Sequence, residues 1–394
     1  MAPTTLLWLI TGCLMLQPLS TDLYLASLPH LTSYFSATPA AVQQTLSLFV
    51  IGFGSAQLIS GPLSDRYGRR PVLVAGLATY LLTSIACALA PTLFLLVAGR
   101  FIQAIGCCTA VVVARAIIRD VYTPAEGARM IAKASSLLSL MPIFGPIIGG
   151  YLQVAFGWRS AFVVHTTFCA ALGWASWRWL LETNSEKNPD AMRLAGLARS
   201  YAQIVTTPAF WAYTLPGALS YCSIFVFISG SSFVLIDVLG VPTQYYGYCF
   251  AFGVLGYLAG TIVCRRLLAR IGMEKTLTLG TTLSLVGGLC FAALVLAGVH
   301  HWAVVLGGLF ITMFAHGINY PCAQSGAVSP FPQQAGAAAG LMGFFIMLLA
   351  LLVGTWVGAS FDGTLIPLSF TSAGVGFLLF ASGRLLLRHR AAAY

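Results

Sequence analysis

The chain has 394 residues, of which 58% are hydrophobic and only 8% charged. Soluble globular domains carry about 25% charged residues, so this composition excludes a soluble globule and makes the chain a membrane protein. The formal net charge of +10 is scattered through short polar breaks and forms no patch, which fits lipid topology and not nucleic acid.

The apolar runs reach ~20 residues or more without alternation, whereas a barrel strand needs only ~9–11, so helices span the bilayer. Dividing the chain at charges, Pro/Gly clusters and polar breaks predicts about twelve crossings. The first six are 5–31, 42–63, 71–90, 93–118, 130–156 and 160–181. A polar linker, 182–207, follows, and then come 210–239, 245–268, 276–299, 303–323, 335–361 and 365–387. The expected fold is therefore all-α, with two six-helix bundles at 1–181 and 208–394 joined by the linker. Residues 1–19 lack the basic n-region and small-residue cleavage site of a signal peptide and are expected to stay as the first helix.

Lys and Arg fall almost entirely in alternate breaks: Arg66, Arg69 and Arg70, Arg129 and Lys133, the linker, Arg265 to Lys275, and Arg388 with Arg390. The opposite breaks hold essentially Arg159 alone. That bias predicts cytoplasmic termini and a cytoplasmic linker. The second-half sequence Arg265-Arg266-Leu-Leu-Ala-Arg270-Ile-Gly272 faintly echoes residues 61–70, as repeats do in transporters with a midplane site. The ten cysteines show no CxxC and no Cys/His metal spacing, so no metal and no disulfide framework is expected.

The charge centre of the first half is Gly61-Pro-Leu-Ser-Asp65-Arg66-Tyr-Gly68-Arg69-Arg70. A Gly-Pro start and a Gly-Arg-Arg finish suit a tight basic loop between helices, with Gly68 free to take φ > 0.

Within the spans, ionisable groups are costly and mark function by default. Asp22 lies roughly 13 Å from one end of the first span and Arg100 roughly 10 Å from the same end of the fourth, so the two can share a level. An ion pair there would keep the carboxylate charged, and breaking it would favour proton uptake. The alternatives are an Asp22 that solvates itself at the headgroups and an Arg100 bonded to a backbone carbonyl. Gln103 shares a helical face with Arg100. Arg115, Arg119 and Asp120 come at the other end of that span, where Asp120 can pair with the arginines of the basic loop. Gly145-Pro146 and Gly149-Gly150 form a narrow stripe that serves either as a packing face or as a moving gate. In the second half the polar candidates are Tyr221, Ser223, His316, Asn319, Tyr320 and Gln324, with Phe225, Phe227, Phe344 and Phe345 beside them. A mostly apolar cavity with a few hydrogen-bonding groups suits an amphiphilic small molecule. His316 is either titratable near neutral pH or a hydrogen-bonded packing residue.

These residues resemble a known family, the drug:proton antiporters of the major facilitator superfamily. Residues 61–70 look like its motif A, Arg100 through Gly106 like motif B, and Gly145-Pro146 through Gly149-Gly150 like the antiporter motif C. Thr21-Asp22-Leu-Tyr24 and Gln44-Thr45-Leu46-Ser47 are similar to the bicyclomycin and chloramphenicol/florfenicol-resistance branch.

The resemblance implies a twelve-helix, two-bundle fold in a bacterial inner membrane. It implies export of a drug-like molecule against inward proton flow, with Asp22 as the proton-linked acid and Arg100 as its partner. In the outward-facing state Asp65 would meet the start of the eleventh helix at its positive dipole end. Arg69 would join Asp120 in a cytoplasmic latch with Gly61, Arg66, Gly68, Arg70 and Arg115. Tyr24, Gln103, Tyr221, Phe225, His316, Asn319, Phe344 and Phe345 are the substrate-cavity candidates. Motif C lacks an earlier glycine, with Met141 and Pro142 in that region. The expected partners are a small-molecule substrate, protons and the bilayer, with no cofactor beyond the proton gradient and a monomer as the working unit. The competing readings are an exporter of an endogenous metabolite such as an amino acid or peptide, and a proton-independent facilitator. An intramembrane enzyme is disfavoured, because the spans hold no HExxH and no paired carboxylates.

Overall fold

The computed structural model describes residues 3–138, 140–184 and 187–391, and every regular element among them is helical. The first half comprises α1 (Pro3–Asp22), α2 (Leu28–Phe35), α3 (Pro39–Tyr67), α4 (Arg69–Ala88), α5 (Leu93–Val121), α6 (Pro124–Leu138), α7 (Met141–Phe156) and α8 (Arg159–Trp179). The linker holds α9 (Leu194–Val205). The second half comprises α10 (Pro208–Ser232), which runs on into a π-helical turn at Phe233–Val238, then α11 (Thr243–Leu296), α12 (Trp302–Val328), α13 (Ala335–Ser360) and α14 (Ile366–Ala391). Local chemistry sets several starts: the Thr38 and Thr92 hydroxyls accept from the N–H groups of Ala41 and Leu95 at 3.2 and 3.3 Å, capping α3 and α5.

Nine helical segments among the described residues are long and apolar enough to cross a membrane. The 54-residue α11 makes two of the crossings in one run, α6 with α7 supplies a further one and α8 the last, so twelve crossings result.

Three expectations are corrected. The first crossing is not continuous: α1 stops at Asp22, a 3₁₀ turn follows at Leu25–Ser27, and α2 resumes with Pro29 in its first turn. The eighth and ninth crossings have no loop between them, because only Gly272 (φ 76°, ψ 174°) leaves the helical region. The stretch 61–70 is not a loop either. It continues α3 through Tyr67, and Gly68 alone (φ 105°, ψ 157°) makes the corner into α4, a conformation close to glycine's private territory.

Each half has its own apolar core. Leu9, Phe53, Leu77, Ala110 and Cys169 lie in the first, and Phe210, Leu277, Ile318 and Met342 in the second. A further cluster runs across both, joining Leu25, Val42 and Leu46 to Phe225, Val234, Tyr246 and Val357. This shared cluster sits at the His30 end, opposite Gly68, where His30 Nε2 also shares a 3.0 Å hydrogen bond with Thr243 Oγ1.

Glycines allow the halves to approach along two seams. In one, α3 lies along α13: a Cβ on Gly358 would fall 3.1 Å from Ala40 Cα, one on Gly354 2.8 Å from Ser47 Oγ, and one on Gly54 against Met347. In the other, α7 is wedged between α1 and α11. A Cβ on Gly145 would come 3.0 Å from the Asp22 Cβ, and one on Gly149 would strike the Leu23 carbonyl. On the opposite face, a Cβ on Gly150 would lie 2.8 Å from the Thr243 carbonyl, and Gly247 meets the Ile147 backbone.

At the Gly68 end, charge and backbone groups knit the first half to the linker. Arg69 pairs with Asp65 one turn back and donates from Nε to Asp120 at 2.8 Å and from Nη1 to Ser64 Oγ at 2.7 Å. The Glu182 carboxylate caps the start of α4, accepting from the N–H groups of Arg69 at 2.8 Å and Arg70 at 3.2 Å. Burial alone would raise the Glu182 carboxyl, but the N–H groups of Asn184, Arg69, Arg70 and Thr183 outweigh it and hold it below its ordinary value.

Two tests follow from this packing. A folded-state carboxyl held low stabilises the protein above its unfolded value and loses that contribution as pH falls through the folded one. Glu182→Gln should therefore melt earlier than wild type near neutral pH, with the gap closing on acidification in thermal-unfolding scans; a pH-independent gap contradicts the cap. Gly149→Ala should cost ~1–3 kcal/mol, because its methyl meets backbone that no rotamer change can move. Gly374→Ala, where nothing lies within 4 Å, is the neutral control in the same denaturation series.

Candidate functional site

The site is built at the end of α1. Where the helix stops, the Tyr24 N–H turns to the Thr21 carbonyl at 3.3 Å, which releases the Ser20 carbonyl inside an apolar bundle. Such a group is costly unless a donor reaches it. Arg100 of α5 does so, donating from Nη2 to Ser20 O at 3.0 Å, from Nη1 to Gln103 Oε1 at 2.7 Å and from Nε to Thr45 O at 3.4 Å. Its guanidinium lies 4.1 Å from the Phe49 ring centroid and 5.1 Å from that of Tyr24, and the residue is fully buried. Beside it, His165 of α8 bonds through Nε2 to the Leu19 carbonyl at 3.1 Å. Gln103 passes the network on, donating to Ser84 Oγ at 2.7 Å.

The expected Asp22–Arg100 ion pair does not form. Among the described residues the ion pairs are Arg69–Asp65, Arg69–Asp120 and Arg193–Asp190. The carbonyls of α1 and α3 and the rings of Phe49, Tyr24 and Phe162 occupy the guanidinium, so it serves the backbone rather than the acid. Asp22 is 6% exposed and accepts from Thr21 Oγ1 at 3.0 Å. It sits on the seam under Gly145 of α7, the helix that packs against α11 of the other half.

Several cavity candidates belong to cores. Tyr24 is fully buried, with its hydroxyl on Thr45 Oγ1 at 3.2 Å, and Gln103 is sealed with Arg100. Asn319 is also fully buried, donating to Ser284 Oγ at 3.2 Å with Gly280 against its carbonyl oxygen. Phe225 stacks on Tyr221 at 6.1 Å and presses on Gly354. Phe344 and Phe345 form an edge-to-face pair at 5.5 Å, with Phe345 also 4.7 Å from the Trp211 ring.

The group that stays open is aromatic. His316, held through Nδ1 by Ser220 Oγ at 3.0 Å, has the rings of Tyr320, Tyr257 and Tyr221 at 5.0, 5.8 and 6.3 Å. Those three tyrosines are only half-buried.

The motif A residues also part company. Asp65 has no hydrogen bond to α13 among the described residues; its side chain is taken by Arg69 one turn away, and its carbonyl accepts from Asn188 N at 3.0 Å and Asn184 Nδ2 at 3.1 Å. Gly61 lies inside α3. Arg66 lies over the ring of its neighbour Tyr67 at 5.2 Å, and Arg70 donates to the Trp177 carbonyl at 2.8 Å. Arg115 makes no bond to Asp65, Asp120 or any other described residue and does not belong to that cluster.

Sequence reasoning did not single out His165 or Glu182. A histidine inside the sixth predicted span was a usable signal, by the same rule that singled out Asp22. Glu182 carried none, because the helix it caps starts more than a hundred residues earlier. Among the described residues no three His, Cys, Asp or Glu side chains gather as a metal set.

The sequence matches the Major Facilitator Superfamily over residues 10–355. It is 25% identical to the bicyclomycin resistance protein homolog of Haemophilus influenzae, covering 91% of this chain and 89% of that protein. It is 31% identical to a chloramphenicol resistance protein of Pseudomonas aeruginosa (82% and 76%) and 28% identical to the multidrug resistance protein MdtL of Escherichia coli (95% and 95%). The fold matches a D-xylose-proton symporter at a TM-score of 0.73 and 14% identity, covering 97% of each chain. It also matches the human organic anion transporter MFSD10 at 0.70 and 17%, covering 98% and 100%. With twelve crossings, two bundles' worth of packed helices and this match over most of its length, the chain is a multi-pass membrane transporter and belongs to the Major Facilitator Superfamily.

Proposed function

We propose that this transporter is a proton-coupled antiporter that exports small amphiphilic, drug-like molecules, phenicol or bicyclomycin-type antibiotics among them, by alternating access. It would work as a monomer in a bacterial inner membrane, with both termini and the linker cytoplasmic, as the Lys/Arg bias indicates. The names of the relatives support an export role, and the Tyr221–His316–Tyr320 surface suits an aromatic cargo.

The observation that carries the reading is the position of Asp22. It is an acid at a helix break, on the seam between halves, and it forms no ion pair among the described residues. A buried carboxylate of this kind is costly when charged, so its protonation and the solvation of the seam depend on each other. Opening the seam to water favours the carboxylate, and closing it favours the acid. A proton taken up on one side can then be released on the other, while Arg100 stays fixed as the residue that positions the break.

Asp22→Asn keeps the size and the Thr21 contact but cannot carry a proton. In everted vesicles with an imposed pH gradient it should abolish uphill drug accumulation while insertion and melting temperature stay near wild type; retained uphill transport would sink the role. Arg100→Ala should behave differently. It strands the Ser20 carbonyl and Gln103 in an apolar interior, at ~1–3 kcal/mol for each buried group left unmade. Its melting temperature in detergent should fall together with transport, and unaltered melting would refute the positioning role.

A further inference from the structure

We infer that Gln43, Ser47 and Ser229 keep the seam at the His30 end poised to part, because closing it strands their polar atoms and opening it returns them to water. The inference rests on the alternating-access reading and adds to it the side chains that set how readily this end opens.

The seam is the contact of α3 with α13, and its apolar part is the cluster shared by both halves, which holds Leu46 of α3, Phe225 of α10 and Val357 of α13. Gln43 and Ser47 lie one turn apart on α3 and meet α13 at its glycines. A Cβ on Gly358 would fall 2.9 Å from the Gln43 Cβ and 3.1 Å from its Cγ. One on Gly354 would fall 2.8 Å from Ser47 Oγ and 3.3 Å from Ser229 Oγ of α10. Ser47 belongs to the first half and Ser229 to the second, so the two hydroxyls reach the same point from opposite sides of the seam. Gln43, Ser47 and Ser229 are 0, 0 and 1% exposed.

Helical hydroxyls commonly settle on a carbonyl one turn back, as those of Thr45, Ser84 and Ser223 do at 2.8, 2.7 and 3.1 Å. Those of Ser47 and Ser229 do not. Neither has a hydrogen-bond partner among the described residues, and neither has the Oε1 or the Nε2 of Gln43. The point between the two hydroxyls has no room for a bridging water either, since Phe225 Cε1 lies 2.6 Å from it. Four polar atoms are therefore shut inside an apolar cluster where the halves approach to backbone distance. Burial of the cluster favours closure, and the unmade hydrogen bonds oppose it. Water entering a parted seam would satisfy all four atoms, so the opposing force disappears on opening. None of these groups titrates, which makes the balance separate from the proton chemistry of Asp22.

The test reads the seam with a thiol. Leu46→Cys places one inside the shared cluster, at a position 1% exposed. Its modification by a charged methanethiosulfonate, followed by peptide mass spectrometry on the protein in nanodiscs, proceeds only while the seam is open. In this background Ser47→Ala and Ser229→Ala should each slow the modification on the order of tenfold, the effect of removing one stranded group from the closed form. Gln43→Met should slow it as well. Gly354→Ala should speed it, because its methyl would press on Ser47 Oγ and Phe225. The exposed native Cys290 should react at one rate throughout. The inference is overturned if the serine variants leave the rate unchanged, or if they raise it, as loss of a bond holding the seam shut would. A thiol that stays unreactive in every variant, Gly354→Ala included, overturns it together with alternating access, whereas unchanged rates in the serine variants overturn it alone. Neither substrate nor pH gradient is present, so a failure of the proton-coupling role of Asp22 would leave this result standing.

Discussion

A helix that stops in the middle of a bilayer must find donors for the carbonyls it exposes, and the first half of this protein is arranged around that requirement. Water is absent there, and each unsatisfied group costs several kcal/mol. The break after Asp22 releases the Ser20 carbonyl, and Arg100 takes it, with His165 on the Leu19 carbonyl next to it. Arg100 in turn needs acceptors for its remaining donors, which Gln103 and Thr45 provide, and Ser84 is then drawn in by Gln103. Four helices, α3, α4, α5 and α8, are thereby tied to the end of α1. The aromatic faces of Phe49 and Tyr24 complete a polar knot that holds the positive charge without a counter-ion.

That knot leaves the carboxylate two residues on free to face the other half. The glycines of α7 then decide how closely the broken segment can be approached. Gly145 and Gly149 accept α1 on one side, and Gly150 accepts α11 on the other. One helix thus touches both the acid-bearing turn and the partner bundle through backbone, and backbone contact transmits displacement without the slack of a rotatable side chain. A rigid wedge of this kind couples the environment of Asp22 to the opening of the seam.

The Gly68 end uses the same logic with different chemistry. Pro62 has no N–H to give the Leu58 carbonyl of α3, and Tyr201 of the linker helix donates to that carbonyl at 2.8 Å. Ser200 and Gln203 of the same helix bond to Gln334 ahead of α13 at 2.9 and 3.2 Å. Glu182 caps α4 at the linker's other end. The linker is therefore tied to both halves where they would have to part, and it uses backbone groups that a proline and a helix start leave open.

Much of this was legible from the chain alone. Run length and charge content determined a helical membrane protein with about twelve crossings, because the bilayer allows few alternatives to long apolar helices. The Gly-Asp-Arg pattern of residues 61–70 and the glycines at 145–150 carried the family, and the cost of a buried charge picked out Asp22 and Arg100. What the chain could not reveal is which partner each charge takes. Shared depth in the bilayer suggested that Asp22 and Arg100 would pair, and the family resemblance that Arg115 would join the latch. Neither contact is among those of the described residues, because a carbonyl freed by a helix break and an Asp120 already held by Arg69 exist only after the helices have packed. Composition and periodicity are properties of one segment and survive in the sequence; the pairing of charges depends on distances between segments far apart in it, and only the tertiary structure decided those.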